Sequence, residues 1–199
     1  MKLRVFKILK NTKVEGPENR YCIWVQGCSH HCKGCQAPHT WSHNGGKLID
    51  IDEIIKDILL SKKINNIEGV TFLGGEPFEQ AEVLGQIAKV VKQNDLGLLC
   101  FTGGYLEDLQ KEDKNKDLLS NIDLLIDGPF EIDKVDYSRP WCGSSNQRYH
   151  FLTNRYNDEI FKKYKNKVEI NIQKNGIVFM NGMGDFDKIQ KEIELQKII

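Results

Sequence analysis

Three apolar runs in the middle of the chain each lead into glycine, and a stretch of helical period separates each run from the next. They are 69–73 (GVTFL, then Gly74 and Gly75), 98–102 (LLCFT, then Gly103 and Gly104) and 124–127 (LLID, then Gly128). Unbroken apolar runs of this length mark strands covered on both faces. Residues 49–63 carry Ile51, Ile54, Ile55, Ile58 and Leu59 on one helical face, behind Asp50 or Asp52 as N-cap. Residues 79–93 repeat the pattern with Val83, Leu84, Ile87, Val90 and Val91. A weaker helix is expected over 105–121 and another from Asp185 to the C-terminus, with further strands at 5–9, 22–26, 168–173 and 177–180. Strands alternating with helices of this length build parallel β-α units around a buried sheet, so the fold class is α/β. Ligands of such sheets collect at the carboxyl ends of the strands, where these glycines lie.

At 199 residues the chain is long enough for one good-sized core, and a single unit over 1–199 is expected. Lys plus Arg and Asp plus Glu both number 28, so the formal charge is zero. That balance leaves no broad electrostatic footprint for nucleic acid or an anionic membrane. The opening MKLRVFKILK lacks a signal-peptide run, and no apolar stretch reaches membrane-spanning length. A cytoplasmic location is therefore expected. In that reducing compartment, clustered cysteines point to metal or redox chemistry rather than to disulfides.

Three of the six cysteines crowd into the loop 27–41, GCSHHCKGCQAPHTW, as C-x3-C-x2-C: Cys28, Cys32 and Cys35. Soft thiolates suit zinc or an iron–sulfur cluster. Structural zinc closes at four ligands, which His39 or one of His30 and His31 could complete. A cubane instead has four irons, so three local thiolates leave one iron uncovered for a substrate, unlike the four-cysteine runs of ferredoxins. Cys22 and Cys100 sit in apolar strands and read as small buried hydrophobes. Cys142, in the polar PWCGSSNQR, could be reactive but is expected to hold no metal.

The segment GVTFLGGEPFEQ, 69–80, sets Gly74, Gly75 and Glu76 at a strand's carboxyl end. Without a Cβ, paired glycines let a ligand approach the main chain. Their carbonyls and the Glu76 carboxylate are acceptors matched to an ammonium group, although a plain tight turn would read the same in isolation. C-x3-C-x2-C followed by GGEP resembles the radical S-adenosylmethionine (SAM) superfamily. Within it, CKGC with Thr40 and Trp41 behind it, TFLGGEPFEQ, DGPF and RPWCGSSNQR look like the activating enzymes of anaerobic ribonucleoside-triphosphate reductase, a likeness spanning 21–152.

The resemblance implies a partial (β/α) barrel, open on one side, with a [4Fe–4S] cluster on Cys28, Cys32 and Cys35. SAM would chelate the fourth iron and contact Gly34, Gly74, Gly75, Glu76, Thr102, Gly103 and Asp127. Gly34 stands where many relatives carry an aromatic residue against adenine. His30, His31 and Trp41 are candidates to shield the cluster. The implied activity is reductive cleavage of SAM to methionine and a 5′-deoxyadenosyl radical, which takes hydrogen from a glycine of the large reductase subunit. A large glycyl-radical protein is then the partner, and a one-electron donor such as a flavodoxin is also implied. Arg139, Trp141 and Arg148 are residue types enriched in binding hot spots, and the turns carrying them are expected to face that partner. Two other readings stay open on the residues alone: a small radical SAM enzyme with another target, and a zinc-bearing interaction module without catalysis.

Overall fold

The structure is a computed structural model and describes residues 1–172 and 174–196. Its strands are β1 (Lys2–Thr12), β2 (Arg20–Val25), β3 (Lys47–Asp50), β4 (Gly69–Gly74), β5 (Gly97–Phe101), β6 (Leu124–Asp127), β7 (Arg148–Phe151), β8 (Val168–Ile172) and β9 (Val178–Gly182). Its α-helices are α1 (Ile51–Asn65), α2 (Ala81–Gln93), α3 (Leu106–Leu109), α4 (Lys116–Leu119), α5 (Ile160–Lys163) and α6 (Phe186–Gln196). One seven-stranded sheet runs β3-β1-β2-β4-β5-β6-β7, and β8 and β9 form a separate two-stranded ribbon. The centre, β2-β4-β5-β6, is parallel; β1, β3 and β7 pair antiparallel at the flanks.

Strand alternation decides what each face buries. Tyr21, Ile23, Val70, Phe72, Leu98, Cys100 and Leu125 join one core cluster with Ile54 and Ile58 of α1, Leu84, Ile87 and Val91 of α2, and Leu118 of α4. Each such side chain, fully removed from water, contributes about 2 kcal/mol before entropy is counted. The alternate residues Leu99, Leu124 and Ile126 face the other way and pack with Trp141, Cys142, Tyr156 and Ile160. Helices thus cover one face, while the chain after β6 covers the far end of the other. Arg20, fully buried, ties the lower ends of the strands. Its guanidinium donates to Thr71 Oγ1 at 3.0 Å, to the Tyr156 hydroxyl at 2.8 Å, and to the carbonyls of Val70 and Gly97.

The helix at 49–63 begins as its sequence requires: Asp50 accepts from the Asp52 N–H at 3.0 Å, and Asn66 ends it in the left-handed region. The helix expected over 105–121 is instead two single turns, α3 and α4, joined through a 3-10 turn at Asp113–Asn115. KEDKNKD offers no apolar face to continue along, so Asn115 folds back and donates to the Leu109 carbonyl at 2.9 Å. The four-residue strands β3 and β7 have no counterpart in the sequence reading, because such short flanking strands lack a long alternating pattern. The expected strand 168–173 is observed to Ile172, with Gln173 outside the described residues; the C-terminal helix is described to residue 196. Among the described residues, no helix is long and apolar enough to cross a membrane.

Candidate metal and cofactor site

The cysteine loop springs from the carboxyl end of β2. Gly27, at φ +104°, turns the chain out of the sheet. Its N–H donates to the Thr40 carbonyl at 2.8 Å and the Cys28 N–H to Trp41 at 3.1 Å, so the two ends of the loop are laced together. Buried Gln26 reinforces the base by donating to the carbonyls of His39 and Ser42. Within the loop, the Cys35 N–H donates to the Cys32 carbonyl at 3.1 Å. Gly34 is left-handed at φ +77°, and a Cβ there would press on the Ile132 side chain. Cys28 is buried, Cys32 and Cys35 are half-buried, and all six cysteines are free thiols. Burial pushes the Cys28 and Cys32 thiols up, so holding them as thiolates requires a compensating cation, which a bound metal supplies.

The GGEP turn is fastened to this loop. The Gly75 N–H donates to Val25 at 2.9 Å and the Glu76 N–H to Gly27 at 2.8 Å. A side chain at Gly75 would run into the Gly27 carbonyl, which is why glycine stands there. Glu76, only 4% exposed, is the hub of the site. Its Oε1 accepts from the Phe78 N–H and the Thr102 hydroxyl, each at 2.9 Å, and its Oε2 accepts from the Gly103 N–H at 2.8 Å. His30 Nε2 lies 3.1 Å from the same Oε2, and that hydrogen bond raises the pKa of His30. One carboxylate therefore joins the ends of β4 and β5, with about four acceptor positions all engaged. Among its side-chain partners His30 is the exposed one, at 34%.

Cys28, Cys32 and Cys35 line one cavity of about 140 Å³ together with Gly74, Gly75, Glu76, Thr102 and Gly103. Phe101, Phe130 and Gln147 also line it. Phe101 ends a buried strand and was hidden by its core-like context, whereas Phe130 and Gln147 fall within the DGPF and GSSNQR motifs. A second cavity of about 420 Å³, largely apolar, adjoins the first and shares Cys35, Gly74, Phe101, Phe130 and Gln147 with it.

Two of the expected contacts do not line this cavity. Gly34 does not line the cavity; its Cα faces Ile132. Asp127 is fully buried, and its oxygens are held by Arg148 Nε at 2.9 Å, Arg148 Nη2 at 2.6 Å and the Leu106 N–H at 2.8 Å. Burial alone would raise its pKa, yet those donors hold the carboxyl below the ordinary range. Its neighbour Gly128 reaches the cavity instead. The three candidate hot-spot residues each have partners within the chain. Trp141 is 3% exposed and packs on Tyr164, and Arg148 pairs with Asp127 and Glu107. Arg139 donates to the carbonyls of Ser144 and Gln147. All three hold the chain to itself. Cys142 is fully buried and its thiol is pushed up by burial, which argues against reactivity.

The donor set bears on which metal centre fits. The histidines available to complete a zinc site are each engaged: His30 with Glu76, His31 stacked on Trp41 at 4.7 Å, and His39 against Phe6 at 4.5 Å. The three soft thiols lining one cavity are a donor set suited to an iron–sulfur centre.

Residues 14–150 match the family model of the 4Fe-4S single cluster domain, the class of protein that the cysteine loop and its cavity define. Over 146 residues the chain is 37% identical to the anaerobic ribonucleoside-triphosphate reductase-activating protein of Pasteurella multocida, covering 70% of this chain and 92% of that protein. The proteins of the same description from Escherichia coli K12 and Enterobacteria phage T4 are 34% and 31% identical, over 70% and 68% of this chain and 92% and 85% of theirs. The chain belongs to this family of reductase-activating proteins. The crystal structure of QueE from Escherichia coli overlaps 52% of this chain and 53% of its own, with a TM-score of 0.40 and 20% identity.

Proposed function

We propose that this chain is a radical SAM activase that installs the glycyl radical of an anaerobic ribonucleoside-triphosphate reductase. The observation that carries the reading is the convergence of Cys28, Cys32 and Cys35 with the Gly74–Glu76 turn on one cavity at the strands' carboxyl ends. When bound, a reduced [4Fe–4S] cluster and SAM supply a 5′-deoxyadenosyl radical, which removes a hydrogen atom from a glycine of the reductase.

The chain's own residues position and exclude. Cys28, Cys32 and Cys35 would hold the cluster, and the cavity they line beside Gly74, Gly75 and Glu76 would take SAM. Gly74 and Gly75 would offer main-chain carbonyls, and Glu76 Oε2, which His30 Nε2 meets at 3.1 Å, would be the carboxylate oxygen within reach of an ammonium group. Thr102 and Gly103, fixed by the same carboxylate, form the neighbouring wall. Phe101 and Phe130 keep water from the space between the two cavities, protecting a reactive carbon radical. No side chain need act as acid or base. We take the sheet to be the partial barrel of this superfamily, open on the side of the larger cavity, and residues 1–199 to act as one unit. We further take the enzyme to work in the cytoplasm with a one-electron donor such as a flavodoxin.

Anaerobic reconstitution tests the reading. About four irons per chain, cleavage of SAM under a strong reductant, and a glycyl radical seen by electron paramagnetic resonance once reductase is added are expected. A single bound zinc with intact SAM would overturn it.

A further inference from the structure

The larger cavity is walled by aromatic rings, Phe6, Trp24, Phe101, Phe130 and Phe179 among them, yet the ionisable groups Lys7 and Glu15 also line it. Glu15 is only 6% exposed. A carboxyl set among apolar walls costs stability at neutral pH, and such a group in a cavity is a candidate for ligand contact. Its Oε1 accepts from the Gly182 N–H at 2.5 Å, and Asn181 also hydrogen-bonds to it. A carboxylate offers about four acceptor positions, so capacity remains on the side that lines the cavity. Lys7 reaches the same space through a distortion of β1. Phe6 and Lys7 are consecutive and both line the cavity, where regular alternation would send one of them to the opposite face. The β1–β2 register shifts between Val5 and Lys7, and such an irregularity re-aims a side chain. Lys7 Nζ lies over the Phe179 ring at 4.5 Å and the Trp24 ring at 5.7 Å rather than in an ion pair with Glu15, whose charge it nonetheless feels.

A donor and an acceptor that share one apolar cavity without pairing fit a neutral ligand group carrying both an acceptor and a donor. The peptide unit is such a group: its N–H donates to Glu15 and its carbonyl accepts from Lys7. A charged side chain would satisfy one of the two residues and repel the other. Direction comes from the continuity of the two cavities through Cys35, Gly74, Phe101, Phe130 and Gln147. A chain held at Lys7 and Glu15 runs on toward the cysteines. We propose that Lys7 and Glu15 are a specificity-determining pair that holds one main-chain peptide unit of the reductase segment carrying the radical glycine, to one side of that glycine. This rests on the activase reading above and deepens it.

The test uses the reconstituted enzyme with SAM, the intact reductase, and a synthetic peptide spanning the reductase's radical glycine, with analogues N-methylated at one backbone amide at a time. Glu15→Gln keeps an acceptor for the Gly182 N–H and turns an amide N–H₂ toward the cavity, and Lys7→Met keeps the apolar stem without the charge. In each variant the peptide Kd by calorimetry, and the reductase KM in radical formation, should rise by about tenfold or more, with kcat changing far less. In wild type, N-methylation of one particular amide should weaken the peptide by a similar factor. In Glu15→Gln that same methylation should cost nothing further, a coupling that a merely structural role would not produce. Unchanged peptide affinity in both variants overturns the pair and leaves the activase reading standing wherever the reductase still gains its radical. Wild-type protein that gives the reductase a radical without binding the peptide does the same, as does a loss of affinity with no single sensitive amide. Wild-type protein that gives the reductase no radical overturns both.

Discussion

Glu15 gives the ribbon a pH-dependent hold. The side chain is buried, and its carboxyl is raised from the ordinary 4.5 to about 7, chiefly by desolvation. Hydrogen bonds from the Gly182 N–H and Asn181 oppose that rise; Glu169 adds to it, and Lys7 reduces it. In the opened ribbon Glu15 meets water and returns toward its ordinary value. The folded pKa lies above the open one, so the neutral form is favoured when closed. That stability is fully present below pH 4.5 and is lost as pH rises through 7. From 4.5 to about 7, at about 1.4 kcal/mol per unit, the loss is about 3 kcal/mol, or roughly 300-fold in the opening equilibrium. Glu15→Gln keeps an acceptor for Gly182 and cannot ionise. Hydrogen exchange at the Gly182 amide should therefore show wild type and variant alike near pH 5, with wild type opening far more readily at pH 8. Comparing the two proteins at each pH cancels the intrinsic exchange chemistry. A wild-type-to-variant ratio that stays constant from pH 5 to 8 refutes the reasoning.

Replacing Cys28, Cys32 or Cys35 by Ala should each abolish iron retention and SAM cleavage, whereas Cys100→Ala, in the core, should keep both and lower stability by about 1 kcal/mol; iron analysis and thermal melting check the pair. Glu76→Gln turns an amide N–H₂ toward donors at Phe78, Thr102 or Gly103, so SAM affinity by calorimetry should fall at least tenfold, with a stability loss of about 1–3 kcal/mol. Arg20→Met strips the donors from Thr71, Tyr156 and the carbonyls of β4 and β5, and urea unfolding should show a loss of about 3 kcal/mol or more.

Four of the expected site residues are engaged by their own chain. Asp127, Arg139, Trp141 and Arg148 carry groups that recur in binding sites, and nothing in a linear sequence distinguishes a side chain aimed at a ligand from one aimed at its own chain. Asp127 is one strand end from the cavity, yet the antiparallel pairing of β7 brings Arg148 directly opposite it and takes its oxygens. The strand β7 was itself illegible, being four residues of mixed character.

Local chemistry was decided along the chain. The spacing of Cys28, Cys32 and Cys35, the glycines at 74 and 75, and the apolar periods of α1, α2 and the central strands all act over a few residues, so sequence alone determined the cysteine loop, the glycine turn beside it and the parallel core. Long-range pairing was decided only by the fold. The saturation of Glu76 by donors from β5 and from His30, the burial of Glu15 beneath residues 181 and 182, and the joining of two cavities at Cys35 depend on segments distant in sequence. Their meeting is set by how the whole sheet packs.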